Sequence, residues 1–200
     1  MASVFVKCGG SLLDLPDLPA RIESLLDRNR LTDVCLLIGG GTAADLVRHW
    51  DHKFNLGPQR AHDLAIAAMS FNARMVASLS TRFLWCATVE ELGTLPVGSV
   101  KVLDPIRIIR QLELNSESPL ERTWEITSDS IAAWVASHLK RQRLILLKST
   151  SLRSNDASEF LADDGLVDAR FPSFADDLQS IEWCNLRAKN PALETVCNTA

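Results

Sequence analysis

No stretch of the 200 residues approaches the apolar length that spans a bilayer, and neither a Pro/Ser-rich linker nor a run of like charge divides them. The chain therefore reads as one domain, expected over residues 1–186, with a loosely ordered tail at 187–200. Met1-Ala2-Ser3 leads straight into a strand pattern, without a basic segment or a long apolar segment of leader type. The expected location is the cytoplasm, with no membrane partner. A basic excess is also missing. The formal net charge is −4 and the Lys and Arg residues are scattered, which gives no support for a nucleic-acid surface. Any positive charge at a site must be local. The five cysteines, at 8, 35, 86, 184 and 197, contain no CxxC pair and are odd in number. That argues against a disulfide framework and a zinc site, and leaves buried free thiols. Two familiar nucleotide fingerprints, GxxxxGK[ST] and GxGxxG, are absent as well.

What is present is a pair of glycine clusters, each directly after a short apolar run. Val4-Phe5-Val6-Lys7-Cys8-Gly9-Gly10-Ser11 opens the chain, and Val34-Cys35-Leu36-Leu37-Ile38-Gly39-Gly40-Gly41-Thr42 repeats the arrangement about one βαβ unit later. Glycines at the end of a buried strand let backbone N–H groups approach an anion, and the start of the next helix adds partial positive charge. Two such loops could hold two phosphate groups, which points to phosphoryl transfer between anionic ligands.

Strands are predicted over 3–7, 34–38, 83–86, 100–103 and 144–148, the last being the last clear buried strand. Helices are predicted over 15–28, 42–54, 59–78 and 105–114, with another from Thr127 or Ser128 as cap to about Lys140. This alternation implies an α/β fold with a mostly parallel sheet covered by helices on both faces.

Ligands in such sheets collect beyond the carboxyl ends of the strands, and four features fall there. In Lys7-Cys8-Gly9-Gly10-Ser11 the lysine could reach phosphate oxygens while the glycine amides and the serine hydroxyl bind them; the glycines alone could equally make a tight turn. Gly39-Gly40-Gly41-Thr42-Ala43-Ala44-Asp45 is better explained by close approach to a ligand than by a connector, because three glycines cost backbone entropy. Asp45 either favours the helix N-terminus or points into an acceptor pocket. Asp129, in Thr127-Ser128-Asp129-Ser130, is either an ordinary first-turn acid or a group that orients phosphate-binding lysines. Lys148, in Leu147-Lys148-Ser149-Thr150, is either a second cation beside transferring phosphate or a side chain that reaches solvent.

Taken in this order, the Lys-x-Gly-Gly-Ser opening, the Gly-Gly-Gly loop, the Thr-Ser-Asp-Ser-Ile-Ala-Ala segment and the strand ending in Lys-Ser-Thr resemble the amino acid kinase family, over most of residues 3–172. The resemblance implies a three-layer αβα sandwich that transfers the γ-phosphoryl group of ATP, with Mg²⁺, to a carboxylate, carbamate or phosphate. Carried onto this chain, it gives Lys7 the transferring phosphoryl group, and Gly9, Gly10 and Ser11 the ATP phosphates. Lys148, with Ser149 and Thr150 beside it, falls on the ATP side, and Asp129 organises the lysines. Gly39, Gly40 and Gly41 hold the acceptor, with Asp45 and His62 near it, although a structural or surface role suits His62 better. No metal ligands are assigned, and a homo-oligomer is expected. An ionised acceptor needs no catalytic base.

The family's nucleotide-loop pattern Thr-x-Val-Asp-Gly-Val is missing after the last strand, and so is a closing Gly-Thr strand. The run from Trp124 to Ala133 and the Gly-Leu-Val-Asp-x-x-Phe-Pro ending at Pro172 look more like the small kinases of C1-cofactor biosynthesis, which phosphorylate aminomethylfuran phosphate. Two alternatives stay open: a kinase of the uridylate or acetylglutamate type, and a non-catalytic ligand-binding protein of the same fold. A dinucleotide oxidoreductase lacks its fingerprint and its acidic ribose ligand.

Overall fold

The computed structural model describes residues 3–152 and 158–196. Side-chain alternation along the first strand, β1 (Ser3–Cys8), sets the layering. Val4, Val6 and Cys8 enter one core cluster and Phe5 enters the other. The same alternation divides β2 (Asp33–Ile38), with Val34, Leu36 and Ile38 on one side and Cys35 and Leu37 on the other. A sheet that is apolar on both faces needs helices on both, since each fully buried Leu, Ile or Phe side chain contributes about 1.5–3 kcal/mol.

Helix α1 (Leu18–Arg28) supplies one face through Leu18, Ile22, Leu25 and Leu26. After β2, α2 (Gly41–Phe54) packs on the long α3 (Pro58–Ala77), which contributes Ile66 and Met69 to one cluster and Ala73 and Val76 to the other. Strands β3 (Phe83–Cys86) and β4 (Val100–Leu103) follow. Next come α4 (Pro105–Glu113) and α5 (Ser128–His138), both on the Phe5 side, and then β5 (Arg143–Lys148). The chain continues through α6 (Ser158–Asp163), α7 (Phe171–Ala175), β6 (Ser180–Asn185) and β7 (Glu194–Val196).

The sheet has seven strands in the order β3-β4-β2-β1-β5-β6-β7, all parallel except β7. The expected α/β architecture is therefore found. β1 lies at the centre: the chain goes from it through α1 to β2 and β4 on one side, and crosses back through α5 to β5 on the other. That switch point opens a crevice beyond the carboxyl ends of β1 and β5. Helix α5 packs on both strands, and its N-terminus lies at the crevice.

Two expectations are corrected. β5 is not the last buried strand: β6 pairs with it along its whole length, with Ile181, Trp183 and Cys184 buried. The tail expected to be loose from 187 onward turns back and adds β7 to the edge, with the Arg21 guanidinium donating to the carbonyls of Leu186 and Ala188. Residues 153–157, in the segment after β5 where the family's nucleotide-loop pattern is missing, lie outside the described residues, as does Cys197.

Candidate functional site

Lys7 occupies the penultimate position of β1 and is only 3% exposed, on the face that α5 covers. A buried ammonium there requires a counter-charge, and the first turn of α5 supplies it. Asp129 Oδ1 accepts from Lys7 Nζ at 2.7 Å and Oδ2 accepts from Lys148 Nζ at 2.8 Å. Lys148, the last residue of β5, also donates to the Leu166 carbonyl at 2.6 Å, and its ammonium lies 5.3 Å from the centre of the Trp183 ring. The three residues expected to do the chemistry thus meet, with Asp129 bridging both lysines.

The electrostatics follow from burial and proximity. Burial pushes the Asp129 carboxyl up, but Lys7 and Lys148 outweigh it and hold the group below the ordinary carboxylate range. Burial and then repulsion from Lys7 bring the Lys148 ammonium down to about 8, against the opposing pull of Asp129. Two cations share one carboxylate, so the cluster keeps an excess positive charge that suits an incoming phosphate.

The two glycine loops lie back to back. A Cβ on Gly10 would sit 2.1 Å from the Gly41 nitrogen, and one on Gly41 would sit 2.8 Å from the Gly10 carbonyl oxygen; Gly41 also has φ +49. Gly10 and Gly41 are therefore required by loop-on-loop packing whatever they bind, a use beside ligand approach that the entropy argument for the triple glycine did not include. The Gly9 N–H donates to the Leu147 carbonyl at 2.8 Å, and the Gly39 N–H to the Cys8 carbonyl at 2.9 Å. Those two amides extend the sheet. Gly10, Ser11, Gly40 and Gly41 stand at the starts of helical turns, where N–H groups have no acceptor within the helix. The Ser11 hydroxyl donates to the Ser149 hydroxyl at 3.1 Å, linking the first loop to the end of β5. Thr150 contributes its carbonyl to Trp183 Nε1 at 2.8 Å.

A cavity of about 210 Å³ opens beside the loops. Gly40, Gly41, Asp45 and His62 line it together, with Gly10 and Ser11 at one end. Gly39 does not; its carbonyl and that of Gly40 accept from Asn72 Nδ2 at 2.9 and 2.7 Å. Ile66, Met69 and Ile131 make an apolar wall. Across from it, the Arg48 guanidinium sits 4.7 Å over the Trp124 ring and donates to the exposed Asp45 at 2.9 Å. Lys7, Asp129 and Lys148 are not part of this lining. His62 is 1% exposed, and its Nε2 lies 3.1 Å from the Ile126 carbonyl, which makes that nitrogen the donor. Burial pushes the imidazole pKa down, so the ring is neutral. That leaves Nδ1 with a free lone pair and no hydrogen-bond partner among the described residues.

Two supporting residues went unassigned in the sequence. Asn72, in the middle of α3, is buried and fixes the second loop. Asp168 does the capping expected of Thr127 or Ser128: its Oδ2 accepts from the Thr127 and Ser130 N–H groups at 3.1 and 3.0 Å and from the Thr127 hydroxyl at 2.8 Å, and its Oδ1 accepts from the Ser130 hydroxyl. The available signal was its place in Gly165-Leu166-Val167-Asp168, where a carboxylate can accept from a helix start.

No protein-family model matches the chain. It is 25% identical, over 142 residues and 70% of its length, to the [5-(aminomethyl)furan-3-yl]methyl phosphate kinase of Methanocaldococcus jannaschii, and the match spans 63% of that protein. Its fold is similar to the crystal structure of uridylate kinase from Archaeoglobus fulgidus, with TM-score 0.61, 16% identity, and 90% of this chain and 88% of that one covered. UMP kinase from Bacillus anthracis aligns with TM-score 0.65 at 13% identity, covering 94% of this chain and 89% of that one. The resemblance to the amino acid kinase family thus holds, in sequence through the first relative and in fold through the other two.

Proposed function

We propose that the chain is an ATP-dependent kinase that transfers the γ-phosphoryl group to a small phosphate monoester, [5-(aminomethyl)furan-3-yl]methyl phosphate or a close analogue. The observation that carries this reading is the buried Lys7–Asp129–Lys148 bridge at the switch-point crevice, next to two stacked glycine loops. Lys7 and Lys148 neutralise the anions that must approach one another, and Asp129 holds both ammonium groups in place before the ligands arrive. The helix-start amides of Gly10 and Ser11 serve ATP phosphates, and those of Gly40 and Gly41 serve the acceptor and the transferring group. The acceptor phosphate is already ionised, so no residue needs to remove a proton.

Mg²⁺ fits this arrangement as a passenger on the nucleotide. Both oxygens of Asp129 are engaged by lysines, and among the described residues no three His, Cys, Asp or Glu side chains converge. When bound, the ion would neutralise phosphate charge.

For the acceptor, the apolar wall of Ile66, Met69 and Ile131 suits a small ring, and Asp45 at the mouth suits an amine. The test is ADP release by the purified protein with MgATP and each of three acceptors: [5-(aminomethyl)furan-3-yl]methyl phosphate, UMP and N-acetylglutamate. Turnover with the first is expected. Turnover with UMP or acetylglutamate alone would move the assignment within the kinases, and ADP release with none of the three would overturn this reading.

A further inference from the structure

A second cluster of buried charge lies at the opposite edge of the sheet, where strands begin. Lys101 sits within β4, between β2 and β3, in a run that is otherwise Val100, Val102 and Leu103. It is 7% exposed. Its Nζ donates to Asp33 Oδ1 at 2.6 Å, the single acceptor it has among the described residues. Asp33 opens β2, and its other oxygen accepts from Arg141 Nη1, with Nη2 3.3 Å from Oδ1. Arg141 is fixed by the turn that ends α5: Lys140 has φ +55 and the Arg141 N–H donates to the Ala136 carbonyl at 2.8 Å.

Two nearly buried cations therefore share one carboxylate, leaving a net positive charge where desolvation is costly. Lys101 and Arg141 also retain N–H donors beyond those Asp33 accepts. All three side chains line a cavity of about 330 Å³, whose other walls include Leu92, Leu95 and Val97. The charge, the unused donors and the apolar wall converge on one space.

We propose that this cavity is a binding site for a small oxyanion with an apolar part, an organic phosphate or carboxylate, held by Lys101 and Arg141. It lies at the end of the strands remote from the glycine loops and does not depend on the kinase reading. β2 begins at Asp33 and ends just before Gly39, and α5 carries Asp129 in its first turn and ends at the Arg141 turn, so a ligand here would tie together elements that also build the crevice.

The experiment is a titration of the ¹⁵N-labelled full chain with inorganic phosphate at constant ionic strength, followed by amide chemical shifts. Saturable shifts are expected at Thr32, Asp33, Gly93 and Lys101, separate in midpoint from any at Gly10 and Gly41. Arg141→Gln should weaken the response at this edge by about tenfold or more, as for a lost charge contact, while leaving the glycine-loop response in place. Asp33→Asn should tighten it, because the internal competitor for the two cations is removed. That opposite sign keeps the test decisive if Arg141→Gln fails to fold. No saturable response at this edge, an unchanged response in Arg141→Gln, or unchanged or weaker binding in Asp33→Asn would each overturn the site.

Discussion

Burial, and then repulsion from Lys7, bring the Lys148 ammonium down to about 8 from the ordinary 10.5, against the opposing hold of Asp129. Two pH effects of opposite sign follow. The proposed role requires the charged form, so kcat/KM should fall as pH rises through about 8. Stability should move the other way: the fold disfavours the protonated form fully below pH 8, and that cost is relieved between about 8 and 10.5 as the proton leaves. A basic limb with an undiminished melting temperature therefore distinguishes titration from unfolding. Lys148→Arg should shift the limb upward, since guanidinium stays charged, and Asp129→Asn should shift it downward by removing the stabilising carboxylate. A limb that stays put in both variants would assign it elsewhere. Replacing Lys7 or Lys148 with Ala should lower kcat roughly 100-fold or more, the scale of a lost electrostatic contact in a preorganised site. Near-wild-type turnover in both would remove the lysines from the chemistry.

The glycine loops and the start of α5 make separate predictions at the level of elements. Gly41→Ala puts a methyl 2.8 Å from the Gly10 carbonyl at a positive φ, so it should destabilise the fold by about 1–3 kcal/mol and weaken ATP and acceptor together. Calorimetric titrations that find only the acceptor weakened would mean the loops act independently. Asp168→Ala strips the Thr127 and Ser130 amides of their acceptor, an expected loss of about 1–3 kcal/mol by thermal unfolding, with reduced turnover because Asp129 rides on that turn. An unaltered melting curve would contradict the capping role. These elements also mark what was legible in the sequence. Lys7 and Lys148 could be placed because an apolar run ending in lysine fixes both a strand and its end. The back-to-back packing of Gly10 and Gly41 could not, since it joins positions 31 residues apart through backbone alone. Asn72 and Asp168 were hidden for a related reason: a polar residue within a helix or loop does not itself say which distant backbone carbonyl or N–H it will meet.

Across the whole molecule, strands β6 and β7 escaped the sequence pattern because β6 alternates buried and half-exposed residues, unlike the continuous apolar runs of β1, β2 and β5. No helix among the described residues is long and apolar enough to cross a membrane. Several large apolar side chains nevertheless face outward on one helical pair: Leu46, Trp50 and Phe54 recur every fourth residue on α2, and Leu64 and Phe71 lie on α3, with Phe71 71% exposed. Such exposure supports the expected homo-oligomer. Light scattering should give a multiple of the 22.1 kDa chain mass, reduced by Phe71→Glu; a single-chain mass for the unmodified protein would refute it.

Direct transfer of a phosphoryl group between two ligands held at the crevice has its own signature in ³¹P NMR of MgATP with [5-(aminomethyl)furan-3-yl]methyl phosphate and the purified protein. The expected spectrum shows ADP and a new pair of coupled diphosphate resonances growing in equal amounts, abolished or strongly slowed in Lys7→Ala. ADP accompanied by inorganic phosphate, with the acceptor unchanged, would contradict it.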